Sequence, residues 1–273
     1  MCMMKKLLFL STLMASLLSA EILLYGPDPA ALAMRELALE FEKKSGERVV
    51  VNSGPSKTWL YKARQDADLF YAPSAKSMER YIELVPNLSI DDISIIHLCQ
   101  TNLMVRPNNP LKITSFNDLL DKKVKIMAMS GGHNSYEFIA LKMGNGENLT
   151  KLRKNIIVYA KGPKEALSLW RQDLNIDVLI GSSCWKKTLE NEALFVEVGK
   201  EFAMYKAMEL APTKKGLQNQ KVQEFINFTK SEEGQRILQD TMWSLEGDFK
   251  RGRVHQPPLL PHHNRNHQYN TSY

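Results

Sequence analysis

Five times in this chain a short apolar run stops at a loop rich in small residues, and a helical pattern begins at once. Ile22-Leu-Leu-Tyr25 leads into Gly26, Pro27 and Asp28, and Val49-Val-Val51 into Ser53, Gly54, Pro55 and Ser56. Asp68-Leu-Phe-Tyr71 leads into Ala72, Pro73 and Ser74. Residues 124–129 lead into Ser130, Gly131, Gly132, His133, Asn134 and Ser135, and residues 177–180 into Gly181, Ser182, Ser183, Cys184 and Trp185. Strands that each feed a helix can lie parallel, because the helix carries the chain back over the sheet. The repetition therefore predicts an α/β fold with helices on both faces of parallel sheet.

Local signals place the helices. Asp28 reads as an N-cap with Pro29 at the first helical position. Ala30, Met34, Leu37 and Phe41 form one apolar face, with Lys43, Lys44 and Gly46 at its end. Ser56 reads as the cap of a helix running to about Gln65, and further helices are expected over 76–84, 116–120, 135–143, 163–171, 222–229 and 232–239. A helix is also expected to begin at the loop holding Trp185. Two longer extended runs, 95–105 and 203–211, suit strands that cross between two α/β units.

Composition narrows the function classes. With 44% hydrophobic and 24% charged residues in 273 positions, the chain is a packed globular protein with room for two modest domains. The net charge of +6 is unevenly placed. Lys5 and Lys6 carry two charges, and beyond Trp243 the residues Lys250, Arg251, Arg253 and Arg265 outnumber Glu246 and Asp248 by two more. The body is nearly neutral, which excludes the basic stripe of a nucleic-acid binder.

Residues 1–20 read as an export signal: a short basic start, an apolar run over 7–18, then Ser19 and Ala20 before Glu21. The run is too short to span a bilayer, which takes about 20 apolar residues. Export through a cleavable signal to the periplasm is expected. Cys2 belongs to the signal. Cys99 and Cys184 could pair in an oxidising compartment, but they read more readily as small buried hydrophobes. Residues 244–273 read as a disordered basic tail with His255, His262, His263 and His267. No acidic or thiol partner is spaced near these histidines, so no metal site is assigned and no cofactor is implied.

The chemistry suggested by the small-residue loops is anion binding. Ligands of open α/β sheets sit at the carboxyl ends of strands, where helix N-termini present free N–H donors. Glycines let an oxyanion approach the backbone, and serine hydroxyls add rotatable donors without a desolvated cation. Trp59 and Trp185, just inside such helices, could wall a pocket, although core is the best single reading of each. Tyr205 on the second crossing strand could place its hydroxyl in a cleft. A hydrolase would recruit His133 with Ser130 or Ser135, but no nucleophile elbow, phosphate loop or zinc motif accompanies them. The sequence therefore reads as a non-enzyme.

Several segments carry a family resemblance: Tyr25-Gly-Pro, Phe41-Glu-Lys-Lys-Ser-Gly46, Ser53-Gly-Pro with Trp59, Asp66-Ala-Asp-Leu-Phe70, Leu103-Met-Val-Arg-Pro107 with Asn109-Pro110, and Ser231-Glu-Glu-Gly-Gln235. In order and spacing they resemble the accessory colonization factor type of periplasmic solute-binding protein, itself similar to the molybdate- and sulfate-binding proteins of ABC transporters. The resemblance implies a type II two-lobe fold with two crossing hinge strands, one lobe from 21–101 plus 205–243 and the other from 102–204. It implies a monomer that closes on a ligand and is recognised by an ABC permease or a chemoreceptor in the inner membrane. The ligand set expected is Gly26, Pro27, Ser53, Gly54, Ser56, Trp59 and Ser74 from the first unit. From the second come Ser130, Gly131, Gly132, His133, Asn134, Ser135 and Trp185, with Tyr205 from the crossing strand. A sulfate-like tetrahedral oxyanion is favoured, with a small organic carboxylate or sulfonate as the rival if the aromatic residues form a wall. A regulator's effector domain can share this fold, but it would need a DNA-binding helix-turn-helix and no signal.

Overall fold

The computed structural model describes residues 21–130, 133–144 and 146–241; the signal segment and the histidine-rich tail lie outside the described residues. The first unit opens with β1 (Ile22–Gly26), α1 (Ala31–Ser45), β2 (Val49–Ser53), α2 (Ser56–Asp66), β3 (Leu69–Ala72) and α3 (Ala75–Leu84). The long strand β4 (Ser94–Val105) leads to a second unit. It comprises α4 (Asp118–Asp121), β5 (Ile126–Met129), α5 (His133–Gly144), α6 (Gly146–Asn155), β6 (Ile156–Ala160), α7 (Pro163–Gln172), β7 (Val178–Ser182) and β8 (Leu194–Glu197). The chain then returns along β9 (Tyr205–Pro212) and ends in α8 (Lys214–Leu217), α9 (Gln220–Lys230) and α10 (Glu232–Thr241). This is a two-lobe α/β architecture of the periplasmic-binding type.

β1 pairs in parallel with β2 on one side and β3 on the other, as strand–helix alternation requires. The crossing strands run antiparallel to their neighbours. β9 pairs with β3 through Pro212 to Glu209, and with the first half of β4 as far as Gln100↔Tyr205. From Thr101 onward β4 pairs instead with β7, and its other edge takes β8. β5 then links β7 to β6, both in parallel.

Each sheet buries both faces. In the first unit α1, α9 and α10 cover one side through Met34, Leu37, Phe41, Phe225 and Leu238. The other side, under α2 and α3, is an aromatic cluster of Tyr25, Trp59, Phe70 and Tyr81. The second unit repeats the scheme around Phe116, Tyr136 and Ile139 on one face and Leu167, Trp170 and Trp185 on the other. Arg106 closes the far end of β4: its guanidinium lies 3.8 Å from the Trp170 ring centre and donates to the carbonyls of Trp170, Asp173 and Ile176.

The return of the chain is held by a buried aspartate. Asp68 is 2% exposed, accepts from the Leu23 N–H at 2.9 Å and pairs with Lys215 at 3.0 Å. Thr213 donates its N–H to the Asp68 carbonyl and its hydroxyl to Ala67, then accepts from Gly216 N–H to cap α8. Gly216 packs so tightly here that a β-carbon would collide with the Asp68 carbonyl oxygen.

Several local readings are corrected. Asp28 does not cap α1; Pro27 takes the extended cap conformation, Asp28–Ala30 forms a single 3-10 turn, and α1 starts at Ala31. Pro27, which holds the cap position, has no side-chain acceptor, so the turn starts without a side-chain cap. Ser56 is likewise inside α2 and exposed, because Pro55 occupies the cap position and its carbonyl accepts from Thr58. The helix expected at Trp185 is only the 3-10 turn Ser183–Trp185, pinned to β4 by the Ser183 hydroxyl accepting from Gln100 N–H. α6 and β8 had no sequence expectation, being respectively a mostly polar helix and a four-residue strand.

The cysteines are more than buried hydrophobes. Cys99 and Cys184 form a disulfide with Cα atoms 5.5 Å apart. The register explains it: Thr101 faces Ser182 across β4 and β7, and each cysteine lies two residues beyond that pair. The bond closes a separation of 85 residues.

Gly216→Ala should lower stability by about 1–3 kcal/mol, the usual cost of overpacking. It should appear as a lower urea midpoint with an unchanged slope.

Candidate functional site

A cavity of about 220 Å³ lies where the crossing strands meet the carboxyl ends of β5, β6 and β7. Its walls come from four places in the sequence. The end of β5 and the first turn of α5 contribute Ser130 and Ser135, and the β6–α7 connection with the start of α7 contributes Lys161, Gly162 and Pro163. β7 and the turn after it contribute Gly181, Ser182 and Trp185, while the crossing strands supply Cys99, Gln100, Thr101 and Lys206. Two helix N-termini, those of α5 and α7, therefore open onto one space. The positive ends of their dipoles favour an anion there.

The electrostatics point the same way. Lys161 and Lys206 both line the cavity, and among the described residues no carboxylate does. Lys206 is exposed as a residue, but desolvation holds its pKa below the usual lysine value. That desolvation is relieved when an anion pairs with the charge. Trp185 is 2% exposed, and its indole Nε1 is a buried donor with no protein acceptor among the described residues. A buried unsatisfied donor costs about 1–3 kcal/mol, so a ligand oxygen accepting from it would recover that penalty. Gly181 is required by packing, since a β-carbon would come within 2.5 Å of the Met104 methyl and 3.1 Å of the Trp185 ring.

Of the residues expected from sequence, the structure brings Ser130, Ser135 and Trp185 together on this cavity. Gly131 and Gly132 lie outside the described residues, as do the side chains of His133 and Asn134. Tyr205 neighbours Lys206 on β9, is 55% exposed and does not line the cavity.

The first-unit residues are placed at their own strand ends and are occupied by structural work. The Ser53 hydroxyl accepts from Arg35 at 2.8 Å. Pro27 offers its carbonyl to the Tyr71 hydroxyl at 3.0 Å, and Gly26 packs on the Tyr71 ring, which a β-carbon would strike at 2.5 Å. Burial raises the Tyr71 pKa, so that hydroxyl stays protonated and donating. Ser74 caps α3, accepting from Ser77 N–H, and Ser56 is exposed in the first turn of α2. Trp59 is 5% exposed, donates to the Gly54 carbonyl at 2.9 Å, and packs against Tyr81 and Tyr25. It forms part of the aromatic core.

Lys161, Gly162 and Lys206 were missed from sequence. Lys161-Gly162-Pro163 does carry a local signal, a strand end followed by a proline-started helix, like the loops that were singled out. Lys206 carries none. It reaches the cavity because β9 crosses beside β4, which only the assembled sheet shows.

Comparison with known proteins places the family and the fold. The family model described as bacterial extracellular solute-binding protein matches residues 22–242. No curated protein matches the sequence. Among solved structures, the chain is similar to PEB3 with bound L-phospholactate, at 25% identity and a TM-score of 0.69 over 81% of this chain and 98% of that one. The crystal structure of Peb3 from Campylobacter jejuni gives 24% and 0.68 over the same shares. The fold also matches the substrate-binding domain assigned to a molybdenum ABC transporter from Clostridium difficile, at 21% identity and a TM-score of 0.63 over 81% of this chain and 97% of that one.

Trp59→Ala should cost about 3–5 kcal/mol of stability in urea denaturation, the scale for deleting a buried large aromatic. A loss below 1 kcal/mol would show that the ring does not pack as described.

Proposed function

Because this chain belongs to the bacterial extracellular solute-binding proteins, we propose that it captures a small organic anion carrying a tetrahedral oxyanion group. The observation that carries this reading is the single cavity joining two helix N-termini, Ser130, Ser135, Lys161, Lys206 and the unsatisfied Trp185 donor. The serine-bearing loops suit the oxyanion, as the sequence expected. The lysines alter the expectation of uncharged donors alone, since two cations suit a dianion such as a phosphate monoester or a phosphorylated acid. The volume adds a second constraint. About 220 Å³ is several times what a bare sulfate fills, yet it lies below the roughly 300–1,000 Å³ of drug-sized sites. A carbon skeleton of a few atoms against Trp185 fits that range. The phospholactate held by PEB3 has this chemistry.

The work is capture and delivery, with no turnover of the ligand. Residues 21–101 plus 205–243 and residues 102–204 act as the two lobes, and β4 and β9 act as the hinge about which they close. The closed form is then read by an ABC permease or a chemoreceptor after export to the periplasm.

Isothermal titration with phospholactate, sulfate, molybdate and a neutral sugar tests the reading. Phospholactate should bind at least tenfold more tightly than the bare oxyanions, and the sugar should not bind. Lys206→Met and Ser135→Ala should each weaken phospholactate by about tenfold or more, the scale of a lost hydrogen bond to a charged group. If only neutral or cationic solutes bind, the assignment is wrong.

The pH dependence has a definite sign. Lys206 must be protonated to attract an anion, and burial lowers its pKa. Affinity should be flat at neutral pH and fall as pH rises through that lowered value, below the range of an ordinary lysine. Lys206→Met should remove the fall; a wild-type profile that persists in the variant would assign it to another group.

A further inference from the structure

On the far side of Cys99 from the ligand cavity is a cluster that anion capture does not use. His97 and Cys99 stand two residues apart on β4, so they share a face of the strand. The β4–β7 register brings Cys184 beside them. A ring nitrogen of His97 and the two sulfurs all lie within 4.8 Å of one another. A groove lined by His97, Cys184, Glu190 and Asp240 reaches the cluster from the surface.

The imidazole is held in the form a metal takes. Gln235 donates its Nε2 to the carbonyls of Ile96 at 2.7 Å and Thr229 at 2.8 Å. Both donors of the amide are thereby committed, which turns its Oε1 toward His97 Nδ1 at 3.0 Å. An oxygen there can only accept, so Nδ1 carries the proton and Nε2 keeps the lone pair. A side-chain acceptor fixing the remote nitrogen in this way is the usual support of a metal-bound histidine.

We propose that His97, Cys99 and Cys184 form a redox-gated site for a borderline-soft divalent cation of the zinc class. In the disulfide form both sulfurs are committed to each other and the site is closed. A dithiol reductant opens it: its thiolate attacks one sulfur to give a mixed disulfide, and its second thiol displaces that bond. The reductant leaves as its own disulfide, having supplied two electrons and two protons, and Cys99 and Cys184 become thiols. The cation then displaces both thiol protons and takes two thiolates and one imidazole. Tetrahedral zinc with these ligands needs neighbouring donors about 3.5–3.8 Å apart, within reach of the present spacing.

The test is cobalt(II) titration of the full chain carrying Cys2→Ser, so that Cys99 and Cys184 are its only cysteines. It is run oxidised and after reduction with a phosphine, which is then removed. The reduced chain should bind one equivalent with a thiolate charge-transfer band, and zinc should bleach that band; the oxidised chain should show none. The band separates this site from the histidine-rich tail, which contains no cysteine. His97→Gln should weaken binding at least tenfold, and Gln235→Leu by about 10–100-fold, as expected for loss of an orienting partner. Equal binding by oxidised and reduced chains would overturn the proposal. So would affinity unchanged in Gln235→Leu, or loss of folded circular dichroism on reduction before any metal is added.

Discussion

Hydrogen bonding along β4 is the constraint on which the rest of this molecule depends. One continuous strand pairs with β9 as far as Gln100 and with β7 and β8 from Thr101. Every backbone group of a buried strand must find a partner, so the chain can change sheets only where one set of neighbours replaces another without a gap. That handover lies beside Thr101. It brings the carboxyl ends of β5, β6 and β7, with their helix N-termini, against the crossing strands and so creates the cavity.

The cavity's electrostatics follow from this placement. Helix ends alone can stabilise an anion by partial charges, and small side chains let it approach. The structure adds Lys161 from a loop and Lys206 from a crossing strand, with no carboxylate on the wall among the described residues. A desolvated lysine is unfavourable by itself, and an anion relieves that cost.

The same strand separates two chemistries. Cys99 lies on the cavity wall, while its partner Cys184 faces the outer groove with His97. Cys99 and Trp185, the residue after Cys184, both line the cavity, so the disulfide borders the two spaces at once. The disulfide also fastens the 3-10 turn carrying Trp185, whose indole faces the ligand space.

Much of the architecture was legible in the sequence because its signals are local. Apolar runs of strand length, the helical spacing of Ala30, Met34, Leu37 and Phe41, and the small-residue loops each act within a few residues, where the periods of 2 and 3.6 operate. Ser130, Ser135 and Trp185 were therefore found as candidates from their loops alone. The caps at Asp28 and Ser56 were misread at the same range, because neighbouring prolines decide which residue takes the cap conformation. The Cys99–Cys184 bond, the arrival of Lys206 beside Lys161 and the oriented His97–Gln235 pair depend on register and crossing between segments far apart in the chain. Sequence by itself determined the elements and the kind of loop that meets a ligand; tertiary structure decided which loops share a cavity, since strand pairing is a non-local choice set by the burial of whole sheet faces.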